Sequence, residues 1–126
     1  MLRKFIFNFF LLILVLTTNT TFLQIEMSSA SENQSSDLIE KISIDYTNKF
    51  CNSIGFGLSK ESAMKFSMEE NKKVFKKRKG INNIDKDLLA EEMAIAVIDT
   101  CGYPINLYGE KGIQEFKNYY LTKNVE

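Results

Sequence analysis

The sequence predicts a small all-α domain of four helices with a central apolar helix, after an N-terminal signal segment. From residue 37 onward, apolar residues recur at three- and four-residue steps. No two segments combine the alternating pattern of strands with a hairpin turn. With 126 residues, 44% of them hydrophobic and 25% charged, the chain has the size and composition of one folded domain.

The central helix is predicted at residues 87–101. Residues 93–98 include no polar side chain, so this helix needs neighbours on several sides. Asn83 or Asp85 can cap its start, and Gly102 ends it. The other helices are therefore expected to pack around it.

Three further helices complete the predicted domain, which spans residues 37–122. The first helix runs from Asp37 to Gly55, and Ser59 caps the second. A last short helix follows an irregular connection after Pro104. The apolar positions are Leu38, Ile39, Ile42, Tyr46, Phe50 and Ile54 in the first helix, Ala63, Met64, Met68, Val74 and Phe75 with Phe66 alongside in the second, and Ile113, Phe116, Tyr119 and Tyr120 in the last.

The N-terminus has the pattern of a secretory signal. Arg3 and Lys4 precede an apolar run that is shorter than the about 20 residues of a bilayer span. Small residues favour cleavage after Ala30. Residues 1–30 are therefore predicted to be a signal peptide, and residues 31–36 a mobile polar tail.

Two alternatives to a cleaved signal remain open. The apolar run reaches bilayer length, residues 5–25, only if the threonine-rich stretch 17–21 is included, and it would then be retained as a membrane anchor. A start at Met27 would remove the signal and leave the protein in the cytosol. Export is the prediction because a short apolar run after basic residues is typical of a signal.

The missing residue types argue against several kinds of chemistry. The chain has no histidine, the commonest general base and zinc ligand, and no nucleophile has an identifiable base beside it. The formal net charge is zero, so there is no general attraction to nucleic acid. We expect no catalytic residue, no cofactor and no metal site.

Glu91 and Glu92 directly precede the apolar part of the central helix. Adjacent helical positions do not face each other, so they do not form a catalytic pair. Glu91 shares a stripe with Leu88, Ile95 and Ile98. We expect it at the edge of the core, in contact with a lysine or a helix N-terminus.

Cys51 and Cys101 are the only cysteines, and each ends a predicted long helix. An even count in an exported chain indicates a structural disulfide, which for a loop of about 50 residues contributes about 4 kcal/mol in the chain-entropy model. The bridge requires the first and central helices to run parallel, with the second antiparallel between them. Two buried thiols, or a redox pair without C-x-x-C spacing, are the alternatives.

Six cations within eight residues form a candidate docking patch, which we call the basic segment: Lys72, Lys73, Lys76, Lys77, Arg78 and Lys79. The simplest interpretation is a solvated helix end, where cations offset the helix dipole. As a functional surface it would bind an acidic protein partner or anionic lipid.

A helical pocket for a small apolar ligand is the alternative to an interaction surface. Such a carrier would line its pocket with Met64, Met68, Phe116 and Tyr120, whereas a solid core would favour an interaction protein. The late aromatic residues are expected to fill the core because several have helical spacing. These residues are Tyr103, Tyr108, Phe116, Tyr119 and Tyr120.

Phe50-Cys51, followed by Gly57-Leu58-Ser59-Lys60-Glu61-Ser62-Ala63, resembles a family of small exported cyanobacterial proteins of unknown function. In that pattern Phe-Cys precedes Gly-x-Ser-x-Glu-Ser-Ala, and a second cysteine ends a later helix, as Cys101 does here. The resemblance implies the periplasm or thylakoid lumen and a pairing of Cys51 with Cys101. It implies no activity. We therefore expect a non-catalytic accessory or interaction protein whose partner is a protein, such as a membrane complex.

Overall fold

The computed structural model describes residues 33–124, and within them the chain is helical with no strand. This confirms the predicted fold class. The compact unit begins at Ser35, close to the predicted boundary at residue 37. The four helices are α1 at residues 33–55, α2 at Lys60–Phe75, α3 at Lys86–Cys101 and α4 at Gly109–Lys123, with a short 3-10 helix at Ile81–Asn83.

The predicted signal peptide, residues 1–30, lies outside the described residues, as does the alternative anchor at residues 5–25. Residues 33–36 are helical, so the predicted polar tail extends too far into the domain. Exposed asparagine, glutamine and serine cost a helix only a few tenths of a kcal/mol each, about the spread of ordinary propensities. Packing of α1 against the core begins at Leu38, and it can stabilise one additional helical turn on the N-terminal side of that residue.

The predicted capping residues begin two of the helices. The Ser59 side chain accepts a hydrogen bond from the Ser62 N–H at the start of α2. Asp85, rather than Asn83, caps α3, and its carboxylate accepts from the N–H groups of Asp87 and Leu88. Each cap satisfies amide donors that have no partner inside the helix.

The buried face of α3 is rotated slightly from the predicted stripe. Leu88 is 46% exposed and Ile95 is half-buried. In α2, Val74 is exposed although it was expected on the apolar stripe, and Phe66, which was placed alongside that stripe, is exposed as well. An apolar residue next to a buried stripe need not itself be covered, because neighbouring helices occupy only part of the circumference. The buried residues of α3 are Leu89, Ala90, Met93, Ala94, Val97, Ile98 and Cys101.

Ring contacts show that α1 and α4 are antiparallel. Tyr46 lies against Tyr120 with 5.5 Å between ring centroids, and Phe50 lies against Phe116 at 5.2 Å. A later position in α1 thus meets an earlier position in α4. These four side chains are all buried, and they form the aromatic centre of the core.

Helix α2 is also antiparallel to α1. Asn71 in α2 donates its side-chain N–H to the Ile42 carbonyl at 3.1 Å and to the Asp45 carboxylate at 2.9 Å. Gly80, beyond the end of α2, lies beside Leu38, near the start of α1. The chain therefore returns along α1 before it enters α3.

Helix α4 runs back along α3. Lys117 of α4 reaches Asp87 and Glu91 near the start of α3, although α4 begins only eight residues after α3 ends. Since α1 and α3 are each antiparallel to α4, they are parallel to each other. Their C-terminal ends meet at the Cys51–Cys101 disulfide, where the two Cα atoms are 5.7 Å apart. The bridge and the helix order that it requires are both confirmed.

Candidate functional site

The basic segment is divided by the end of a helix. Lys72 and Lys73 lie in the last turn of α2, and Lys76 is its C-cap, with its N–H donating to the Lys72 carbonyl at 3.0 Å. Residues 77–79 follow in a turn rather than in the helix that the sequence predicts. The helix-end interpretation therefore applies to the first three cations but not to the last three.

Ion pairing also separates these cations. Lys73 donates to the Glu70 carboxylate at 2.6 Å, and this hydrogen bond raises the pKa of Lys73 above its usual value. The four consecutive cations at residues 76–79 are exposed, and none of them has an ion pair within residues 33–124. The structure thus presents four adjacent charges to the solvent.

A groove of about 640 Å³ lies between α2 and α4. Its apolar side chains are Met64, Met68 and Tyr119, and the charged groups around them include Lys65 and Glu69. An open groove with charges of both signs is unlike the apolar interior expected for a carrier of an apolar ligand.

The two aromatic residues expected in a carrier pocket are in the core instead. Phe116 is 1% exposed and Tyr120 is 6% exposed. Burial raises the pKa of Tyr120 to about 12, and it also raises the pKa of Tyr46 well above its usual value. Both phenols therefore stay neutral near pH 7. The region between α1 and α4 is filled by packed rings, which is the solid core that favours an interaction protein.

Tyr103 and Tyr108 contradict the prediction that the late aromatic residues fill the core. They are 83% and 54% exposed, and their rings contact each other at 6.2 Å in the loop between α3 and α4. Helical spacing could not place them, because both precede the part of α4 that packs against α1. Tyr119 is half-buried.

The chain matches no protein-family model, and comparisons with curated proteins and with solved structures find no match. In the described part of the chain, no group of three or more acidic or cysteine side chains is placed to hold a metal ion, and no helix is both long and apolar enough to cross a membrane.

Lys117 is the charged residue that the sequence analysis missed. Lys117 is only 9% exposed. Its ammonium group donates to the Asp87 carboxylate at 2.8 Å and to the Glu91 carboxylate at 3.0 Å. These hydrogen bonds, that to Asp87 first, raise the pKa of Lys117 above its usual value. The expectation that Glu91 contacts a lysine at the edge of the core is confirmed. The sequence feature that indicates burial of Lys117 is its position beside Phe116 on the apolar stripe of α4.

Proposed function

We propose that this chain is a non-catalytic, exported interaction protein that binds an acidic protein surface through residues 76–79. The observation that carries the proposal is that these four consecutive cations are exposed and have no ion pair within the described domain. Charges that no internal partner neutralises are available to complement an acidic surface. The filled aromatic core supports binding at the surface rather than transport of a ligand inside.

The backbone around these cations is held by hydrogen bonds. The Arg78 N–H donates to the Phe75 carbonyl at 2.9 Å, and the Ile81 N–H donates to the Arg78 carbonyl at 3.3 Å. Gly80 has φ of 87°, a left-handed conformation that glycine adopts without strain. A turn that is already ordered loses less conformational freedom when a partner binds it.

The disulfide supports export. Disulfides persist in oxidising compartments and are rare in the cytosol, where thiols are kept reduced. A bridge between Cys51 and Cys101 that joins two helices of the core therefore fits the periplasm or the thylakoid lumen better than a start at Met27. The resemblance to small exported cyanobacterial proteins points to the same compartments, and a membrane complex there is the proposed source of the partner.

Replacing Lys76, Lys77, Arg78 and Lys79 together by Gln should weaken capture of the partner by about tenfold or more, since each exposed ion pair contributes about 0.2–1 kcal/mol. Binding by the unchanged protein should also weaken as salt rises from tens to hundreds of millimolar, because salt screens exposed charges. The measurement is a pull-down of the mature protein from its own membranes, with quantification of the captured proteins across the salt series.

The matched control replaces Lys41, Lys65, Lys86 and Lys111 by Gln. It removes the same charge from exposed positions elsewhere in the domain, so it separates a local surface from an effect of net charge. Equal capture by the two variants and by the unchanged protein would show that residues 76–79 are a solvated charged turn with no binding role.

The N-terminus of the native protein tests export directly. Intact-mass measurement should show a mature chain that begins near Ser31, because cleavage is predicted after Ala30. A mass that still includes residues 1–30 would instead support an anchor at residues 5–25. A chain that begins at Met27 would contradict export.

A further inference from the structure

The two loops at the end of the domain opposite the basic segment contain no charged side chain, although Lys60 and Lys111 lie beside the second loop at the starts of α2 and α4. Residues 50–59 and 100–109 are the two longest stretches without an acidic or basic side chain between residues 33 and 124. Each contains the C-terminal end of a helix and the loop that follows it. The Cys51–Cys101 disulfide, with 5.7 Å between Cα atoms, holds the two stretches side by side. In a chain that is 25% charged, the fold has placed both uncharged loops at one end.

These loops expose four large apolar or aromatic side chains, which we call the aromatic tip: Phe56, Leu58, Tyr103 and Tyr108. Phe56 is 86% exposed and Tyr103 is 83% exposed, so both rings are almost entirely in water. The rings of Tyr103 and Tyr108 contact each other. An exposed apolar patch of a few hundred Å² on a domain is often a binding surface.

We propose that the aromatic tip inserts into the interfacial region of a lipid bilayer. Phenylalanine, tyrosine and leucine suit that region, because an apolar body can enter the acyl boundary while a phenol hydroxyl stays at the headgroups. Neither loop contains a charged side chain, so shallow insertion of the loops alone buries no charge. This inference concerns a surface separate from residues 76–79 and does not rest on the proposed function.

Several backbone N–H groups of the loops already have hydrogen-bond partners inside the protein, which lowers the cost of moving the loops out of water. The N–H groups of Phe56, Gly57 and Leu58 donate to carbonyls in the last turn of α1 at 2.9, 2.9 and 3.0 Å. In the second loop, the N–H groups of Asn106 and Leu107 donate within the loop at 3.1 and 3.0 Å. Amide groups that are already paired lose no hydrogen bond to water on insertion, whereas unpaired amide groups would make insertion unfavourable.

The size of the aromatic tip favours a bilayer over a protein partner. Its four side chains together expose about 500 Å² of surface, if the full accessible surface of one such side chain is about 200 Å². A stable protein interface buries about 800 Å² on each partner and usually includes polar contacts around its rim. A small, uncharged, projecting surface is therefore better suited to shallow insertion than to a specific protein contact.

The two surfaces lie at opposite ends of α1. Gly80, which follows the basic segment, is beside Leu38, and Phe56 follows the last residue of the helix. Sixteen residues separate Leu38 from Ile54, a distance of about 24 Å along a helix. A domain that rests on a membrane by its aromatic tip would hold residues 76–79 away from the lipid.

Single tryptophan variants of the full chain test the insertion, because the protein has no tryptophan of its own. Phe56→Trp and Tyr103→Trp place the tryptophan in the aromatic tip. Phe66→Trp places it at an exposed position within α2, and Val74→Trp places it at an exposed position near the end of α2. Each variant is mixed with phosphatidylcholine vesicles that contain lipid brominated on its acyl chains. A second series includes phosphatidylglycerol.

Insertion predicts a blue shift and bromine quenching for Phe56→Trp and Tyr103→Trp, in neutral as well as anionic vesicles, with little change for Phe66→Trp and Val74→Trp. Adding the four Gln substitutions at residues 76–79 should leave the quenching unchanged. Replacing Phe56 and Tyr103 by Ser should lower the partition coefficient by about tenfold for each ring removed, since burial of one ring contributes at least that much.

Three results would overturn the inference. The first is the absence of quenching at both tip positions. The second is stronger quenching of Val74→Trp than of Phe56→Trp, which would show that the protein approaches the lipid by its other end, as attachment through the residues before α1 would cause. The third is a change in Phe56→Trp emission with protein concentration in the absence of vesicles, which would show that a second copy of the chain covers the tip.

Discussion

Reduction of the Cys51–Cys101 bridge should lower the melting temperature by about 20 °C. The bridge closes a loop with a sequence separation of 50 residues, which restrains the unfolded chain by about 4 kcal/mol in the chain-entropy model. In a domain of this size each kcal/mol shifts the midpoint by about 4–8 °C. Thermal unfolding followed by circular dichroism, with and without reductant, measures the shift.

The double variant Cys51→Ala, Cys101→Ala is the control for this experiment. It should melt near the reduced protein, and reductant should not change it further. Both cysteines are packed against the core, so part of its loss will reflect the removed sulfur atoms. Free thiols in protein purified without reductant, or equal midpoints under both conditions, would contradict a stabilising bridge.

Gly102→Ala should destabilise the domain by about 3 kcal/mol or more, the upper part of the range for inserting an atom into packed surroundings. Gly102 has φ of −62°, so its backbone does not require glycine. The reason is space: an added Cβ would lie 2.5 Å from the carbonyl oxygens of Ile98 and Leu107. Both atoms belong to the backbone, so the clash is relieved only if α3 or the loop after it moves. Urea unfolding measures the loss.

Gly55→Ala is the matched control for Gly102→Ala. Gly55 also lies at the end of a helix, but an added Cβ there would meet nothing within 4 Å. Alanine has a higher helix propensity, so this change should alter stability by no more than about 1 kcal/mol, in the stabilising direction. Equal losses in the two variants would show that the close approach at Gly102 does not control stability.

Local sequence pattern was sufficient to predict the helices and several of their ends. The period of apolar residues predicts all four helices. Capping chemistry predicts the start of α2 at Ser59 and limits the start of α3 to Asn83 or Asp85, because a cap depends on residues within one turn. The end of α2 was harder to predict. Continued lysines favour a helix, yet α2 stops at Phe75, and the left-handed Gly80 lies beside Leu38.

For the binding surfaces, the sequence identified the basic segment but not the aromatic tip. A run of cations is visible in one dimension, because its members are neighbours in the chain. The tip is assembled from two loops separated by more than forty residues. Its tyrosines were assigned to the core, since spacing alone does not show where α4 begins to pack against α1.

The sequence by itself determined the all-helical class and the Ser59 cap. It limited the cap of α3 to Asn83 or Asp85, a disulfide to the only two cysteines, and the contact of Glu91 to a lysine or a helix N-terminus. Each of these depends on local spacing or on the chemical type of the partner. Only the tertiary structure decided that Lys117 is that partner, that Gly102 is needed for space, and that the two uncharged loops share one end of the domain. These properties depend on which atoms from distant parts of the chain come together, and hydrophobic burial is too non-directional to specify that from residue types alone.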